Sequence, residues 1–187
     1  MNSFLNKDAP FLPMPGTARR MLLAVIEGRE KRALTELIAR LALDGPVELI
    51  AGGEWVPGHM DLRRAVRRHT TAVHATLERL TLTRPSTYLQ LLDLLAEPQP
   101  RKELLLILDF LHLFYVPDVE LSTRLRVLEG CCEHLHRIKL LRPLVVVVQQ
   151  VPAEDYRQFM PLLRECADVV LEAEPDRVRV VSQPALV

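Results

Sequence analysis

Two kinds of hydrophobic run alternate along this chain: apolar residues three and four apart among charges, as in a helix with one buried face, and unbroken apolar stretches, as in a strand buried on both faces. From Thr17, "TARRMLLAVIEGREKRALTELIARLALDG" sets Leu22, Val25, Ile26, Leu34, Leu37, Ile38 and Leu41 among charges and closes at Gly45. This predicts a helix opened by a capping threonine and interrupted near Gly28. "PVELIAGG" predicts a short strand running into glycines, and "MDLRRAVRRHTTAVHATL" a helix directly after the loop. Residues 78–83 predict a strand, Arg84 and Pro85 a turn, and Ser86 or Thr87 the cap of the next helix. "ELLLILDFLHLF" and "RPLVVVVQQ" predict two buried strands, the first carrying a single acid, Asp109. Between them residues 120–141 predict a helix with Leu121, Leu125, Leu128, Cys132, Leu135 and Ile138 on one stripe. "DYRQFMPLLREC" predicts a short helix, and "ADVVLEAEPDRVRVVS" a terminal β-hairpin turning near Pro175 and Asp176.

Strands alternating with helices specify a three-layer α/β domain with a mostly parallel sheet and right-handed crossovers. The 187 residues suffice for one such domain, over residues 17–187, after an extended N-terminal arm over 1–16 marked by Pro10, Pro13 and Pro15. Twenty-four basic residues against twenty-four acidic ones supply no global field for nucleic acid or an anionic membrane. With no signal-peptide pattern and no long uncharged apolar stretch, the expectation is a cytoplasmic protein without membrane contact. Cys131, Cys132 and Cys166 are odd in number and lack a C-x-x-C spacing, so reduced core thiols are expected. Cys132 and His136 stand one helical turn apart, but no second pair completes a zinc set, and no metal is expected.

The stretch "GGEWVPGHMDL", residues 52–62, has P-loop spacing without P-loop chemistry. Gly53, four residues and Gly58 match G-x-x-x-x-G-K-[ST], yet His59 and Met60 occupy the places of the lysine that reaches the β/γ-phosphates and the hydroxyl that ligates Mg²⁺. Pro57 removes a further backbone N–H from the cradle. Trp55 in this loop is expected to pack over the vacated phosphate position. The following helix concentrates Arg63, Arg64, Arg67 and Arg68, stacked in i, i+4 pairs. They are the candidate contacts to a nucleic-acid backbone, although aromatic residues that could stack bases make up only 5% of the chain.

Taken in order, these segments resemble the core of RecA/Rad51-type recombinases, and most of all the short Rad51-paralogue-like proteins that partner SWIM-domain proteins. "ELIAGGEWVPGHMDL" stands where Walker A would be, "LTLTRPSTYLQLLDLL" is similar to the strand and helix after it, and "ELLLILDFLHLF" resembles Walker B. "VVVVQQV" is similar to the strand ending in a γ-phosphate-sensing glutamine, and "CADVVLEAEPDRVRVV" to the closing hairpin. The resemblance implies a RecA-like, P-loop NTPase-type fold with Gly53, Gly58, His59, Met60, Asp109 and Gln150 as a vestigial nucleotide site. The family's strand ending in a water-activating glutamate has no counterpart. After Gln150, "VPAEDYRQFMP" is short and sets Glu154 and Asp155 against Arg157, unlike a DNA-binding loop.

The expected function is therefore a non-catalytic structural or regulatory subunit in DNA recombination or repair. It needs no cofactor, docks on a protein partner such as a recombinase or a SWIM-domain-type protein, and contacts DNA weakly or not at all. Two alternatives stand beside it: an ATPase using ATP and Mg²⁺ that a neighbouring subunit completes, and a single-stranded DNA-binding protein using the arginine cluster.

Overall fold

The computed structural model describes residues 20–27, 31–53, 56–97, 103–150, 154–174 and 177–182. In chain order these form β1 (Met21–Glu27), α1 (Lys31–Asp44), β2 (Val47–Ala51), α2 (His59–Arg67), α3 (Val73–Leu77), β3 (Leu80–Thr83) and α4 (Tyr88–Ala96). Then come β4 (Leu104–Leu108), a 3₁₀ turn (Phe110–Phe114), α5 (Leu121–Lys139), β5 (Leu144–Gln150), α6 (Glu154–Cys166), β6 (Val169–Glu174) and β7 (Arg177–Ser182). The expected arm over 1–16, Trp55 and the hairpin turn at 175–176 lie outside the described residues.

The seven strands make one sheet in the order β3-β2-β4-β5-β1-β6-β7. Every neighbouring pair is parallel except the terminal hairpin β6–β7. Connections through α1, α2 and α3 run toward the β3 edge, whereas those through α4, α5 and α6 run back. Right-handed crossovers therefore put the two sets of helices on opposite faces. The two cores agree: Leu34, Ile38 and Leu41 of α1 and Leu62 of α2 pack on one face, while Leu91 of α4, Leu128 and Leu135 of α5 and Phe159 of α6 pack on the other. This is a three-layer α/β arrangement with a mostly parallel sheet and a terminal hairpin, consistent with a RecA-like domain.

The largest departure from the sequence reading is β1. Its seven residues, "MLLAVIE", form the strand between β5 and β6 rather than the first half of a helix. Met21, Leu23 and Val25 enter one core while Leu22 and Ala24 enter the other. An apolar run buried on both faces shows no period of its own, so neighbouring helical spacing captured it. Two further elements are divided. The helix after the glycine loop breaks into α2 and α3, with residues 68–72 between them. "ELLLILDFLHLF" is a strand only as far as Leu108, because Asp109 turns into the left-handed region at φ 52°, ψ 45° and starts the 3₁₀ turn. Thr87 is the residue that caps α4, accepting from Gln90 N at 3.2 Å, while Gln90 Oε1 reaches back to Ser86 N at 2.7 Å.

Candidate functional site

In open parallel sheets ligands bind beyond the carboxyl ends of the strands, where neighbouring connections leave toward opposite faces. The connections from β2 and β4 diverge in this way, as do those from β1 and β5. At β1 only residues 28–30 separate the strand from α1, fewer than a G-x-x-x-x-G-K cradle needs. They lie outside the described residues. At β2 and β4 the corner is built from Gly52, Gly53, Asp109 and His112.

Gly52 extends the β2–β4 pairing by donating its N–H to Leu108 O at 2.9 Å. A Cβ on Gly52 would stand 2.7 Å from Asp109 O, and one on Gly53 only 2.2 Å from Asp109 Oδ2. Both glycines are needed because the Asp109 corner lies directly on them. Asp109, 7% exposed, is the only described non-glycine residue with positive φ, a conformation that aspartate tolerates better than most residues. His112 Nδ1 sits 3.7 Å from Asp109 Oδ2, too long for a hydrogen bond.

Burial pushes the Tyr115 phenol far above its ordinary value, and Tyr156, Asp109 and Asp155 add to the effect. Arg124, buried behind the 3₁₀ turn, is committed to Asp155 at 2.5 Å and to Phe114 O at 3.0 Å, with its guanidinium over the Phe159 ring. Asp109 thus fills the space beside Gly53, an arrangement suited to closing the corner.

The remaining candidates lie elsewhere. Gly58 is the N-cap of α2 in an extended conformation, and its carbonyl accepts from Asp61 N and Leu62 N, both at 3.0 Å. Asp61 occupies the first turn of α2 and already complements the helix dipole there. His59 faces α3 across a cleft of about 360 Å³ lined also by Arg63, Val73, His74, Leu77 and Glu78. Met60 is 57% exposed. Gln150 is exposed at the end of β5, paired with Glu27 of β1. The structure thus brings Gly53 and Asp109 together, places His59 in the α2–α3 cleft, and leaves Met60 and Gln150 facing solvent.

The arginine cluster is also divided. Arg68 turns inward to Glu36 of α1, a carboxylate 3% exposed that meets His69 on its other oxygen and Arg40 at 3.5 Å. Burial raises the Glu36 pKa, but hydrogen bonds and charge from Arg68 and His69 outweigh it and hold the group below its ordinary value. Arg64 lies 3.9 Å from Asp61, both exposed, whereas Arg63 and Arg67 project outward. Sequence reasoning missed Glu36 and its partners, although Ala39 and Ala65, packed together between α1 and α2, signal the close approach that buries them.

Cys132 is buried and His136 exposed, so the two do not share a site. No group of three or more His, Cys, Asp or Glu side chains is placed to hold a metal ion among the described residues. Nor is any helix of those residues long and apolar enough to cross a membrane. No protein-family model matches the chain, and no curated protein matches it.

Proposed function

We propose that this protein is a non-catalytic RecA/Rad51-paralogue-like subunit, cytoplasmic and acting in DNA recombination or repair, whose fold presents a surface to a protein partner. The observation that carries the non-catalytic half is that neither candidate corner offers a phosphate cradle. After β1 only residues 28–30 precede α1, fewer than G-x-x-x-x-G-K needs, and beyond β2 Gly53 is packed under Asp109 while His59 stands in a different cleft. The repair assignment and the partner class, a recombinase or a SWIM-domain-type protein, rest on the order of the sequence motifs. Weak or absent DNA contact accords with Arg68 being held by Glu36 and with the balanced net charge.

Two measurements test the proposal. Purified protein is expected to show no Mg²⁺-dependent ATP hydrolysis above a heat-treated control, with or without single-stranded DNA. Turnover that Asp109→Asn abolishes would overturn the non-catalytic reading. Affinity purification from the native host, followed by identification of the retained proteins, is expected to recover a recombinase or a SWIM-domain-type protein. Retention of partners from an unrelated process counts against the repair assignment.

A further inference from the structure

The sheet ends in two outer strands, β7 and β3, and they differ in character. β7 carries Arg177 and Arg179, the kind of charge that discourages a further strand. β3 reads "LTLT", with neither charge nor proline to protect it. Thr81 is exposed, Leu82 is 44% exposed, and among the described residues no strand lies beyond them. The Arg79 carbonyl accepts from Val47 N at 2.9 Å, and Val47 stands opposite Leu80. Strand alternation therefore turns the backbone groups of Thr81 and Thr83 toward β2 and those of Leu80 and Leu82 outward. The open edge thus presents two N–H donors and two carbonyl acceptors on the leucines, groups that seek partners.

A second copy of the same edge can meet these groups only in certain registers. Two-fold antiparallel pairing matches residues whose numbers have a constant sum, and outward-facing residues must meet outward-facing ones, so the dyad falls on a residue. A dyad at Leu82 sets Leu80 against Arg84, and a dyad at Leu80 sets Glu78 against Leu82. A dyad at Thr81 instead sets Leu80 against Leu82 twice, Glu78 against Arg84 twice, and Thr81 against its own copy. In that register the segment "ERLTLTR", residues 78–84, is complementary to itself in both hydropathy and charge. The two Leu80–Leu82 matches are the hydrogen-bonded pairs, and the Thr81 pair is the close, non-hydrogen-bonded one. Glu78 meets His74 at 3.1 Å yet its side chain stays 66% exposed, and Arg84 is exposed. Arg79 is turned away to Ala42 O and Leu43 O at 3.2 and 2.9 Å, so it brings no like charge to the edge.

We propose that two copies of this chain pair antiparallel through β3, with the dyad at Thr81, joining their seven-stranded sheets into one. The surface is isologous: the same four strand residues serve both copies, and the Glu78–Arg84 match fixes the register. The pairing rests on the β3 edge alone and is independent of the reading of the Gly53–Asp109 corner.

The test uses the full chain in sedimentation velocity over a range of concentrations. The mass is expected to rise from the 21.3 kDa of one chain toward twice that value. Thr81→Lys places two ammonium groups across the dyad, where facing Cβ atoms stand about 4.5–5.5 Å apart, and is expected to leave a monomer. Glu78→Arg or Arg84→Glu alone is expected to weaken the dimer about tenfold, because the dyad repeats each like-charge contact. The two together restore opposite charges and are expected to recover the wild-type dissociation constant, a rescue that decides the register even if Thr81→Lys fails to fold. Thr81→Cys is expected to cross-link to its own copy on mild oxidation, since a non-hydrogen-bonded pair lies within disulfide reach, whereas Thr83→Cys is not. A chain that stays monomeric throughout, a dimer indifferent to Thr81→Lys, or single charge variants that the double variant does not rescue would each overturn the proposal. So would protection of β3 from hydrogen exchange that arises only when a different, co-purified protein is added, which assigns the edge to that protein.

Discussion

Gly53→Ala tests whether the double glycine serves the Asp109 corner or a phosphate. The Gly53 backbone lies outside the left-handed region, so alanine is sterically allowed by its own φ, and reduced unfolded-chain entropy favours it by about 0.4–1 kcal/mol. Against that gain, the new Cβ would meet Asp109 Oδ2 at 2.2 Å, His112 Cγ at 3.0 Å and Asp109 Cγ at 3.1 Å. Overpacking of this kind costs about 1–3 kcal/mol. The expected net loss is about 1–2 kcal/mol, or a fall of about 2–8 °C in Tm for a chain of this size. Asp109→Gly removes the obstructing carboxylate and the left-handed penalty together, so in that background Gly53→Ala should be neutral or slightly stabilising. Urea denaturation of the wild type, both single variants and the double variant gives the coupling directly, provided the m-values agree. Additivity within about 0.5 kcal/mol would refute the packing argument. Gly52→Ala should cost more than Gly53→Ala, because the atom it meets is Asp109 backbone oxygen at 2.7 Å, which no side-chain rotation can move away.

Three further outcomes follow from the α1–α2 interface. Glu36 has a lowered folded-state pKa, so its stabilising contribution is fully present above its unfolded value of 4.5 and is lost as pH falls through the folded value; Glu36→Gln should flatten the acid limb of a stability–pH profile. At neutral pH the same substitution should cost about 1–3 kcal/mol by weakening charged hydrogen bonds to Arg68 and His69, read by urea denaturation. Arg68→Glu should lower Tm by setting two carboxylates against each other, whereas Arg67→Glu on the exposed side should leave it nearly unchanged, a contrast that differential scanning calorimetry resolves.

The alternation of strands and helices was readable because β4 and β5 are long apolar runs bounded by charge, while α5 carries its stripe on an otherwise polar helix. β1 was not readable. A strand buried on both faces beside a true amphipathic helix offers only composition, and "MLLAVIE" suits either structure. That miss moved the candidate nucleotide loop. With β1 taken as helix, β2 became the first strand and its glycines were matched to a P-loop, although β2 lies next to the β3 edge and β1 lies between β5 and β6. Asp109 was legible as an acid at a strand end, but its left-handed backbone and its closeness to Gly53 come from tertiary packing. The arginines were legible as a cluster, whereas their unequal fates depend on Glu36, an acid whose burial needs both helices in place.

The position of β1 also bears on how the chain reaches its native state. Met21 pairs with Leu144 and Leu22 with Val169, partners separated from β1 by most of the chain. Such long-range pairing makes the loop-closure entropy large before any contact offsets it, and raises contact order. During synthesis β2, β3 and β4 can join one another while β1 still lacks both neighbours, so its hydrophobic faces stay exposed until the last third of the chain emerges. β1, the first strand made, is thus enclosed only after β5 and β6 have emerged, and the interval before its enclosure is when its apolar faces are most exposed to aggregation.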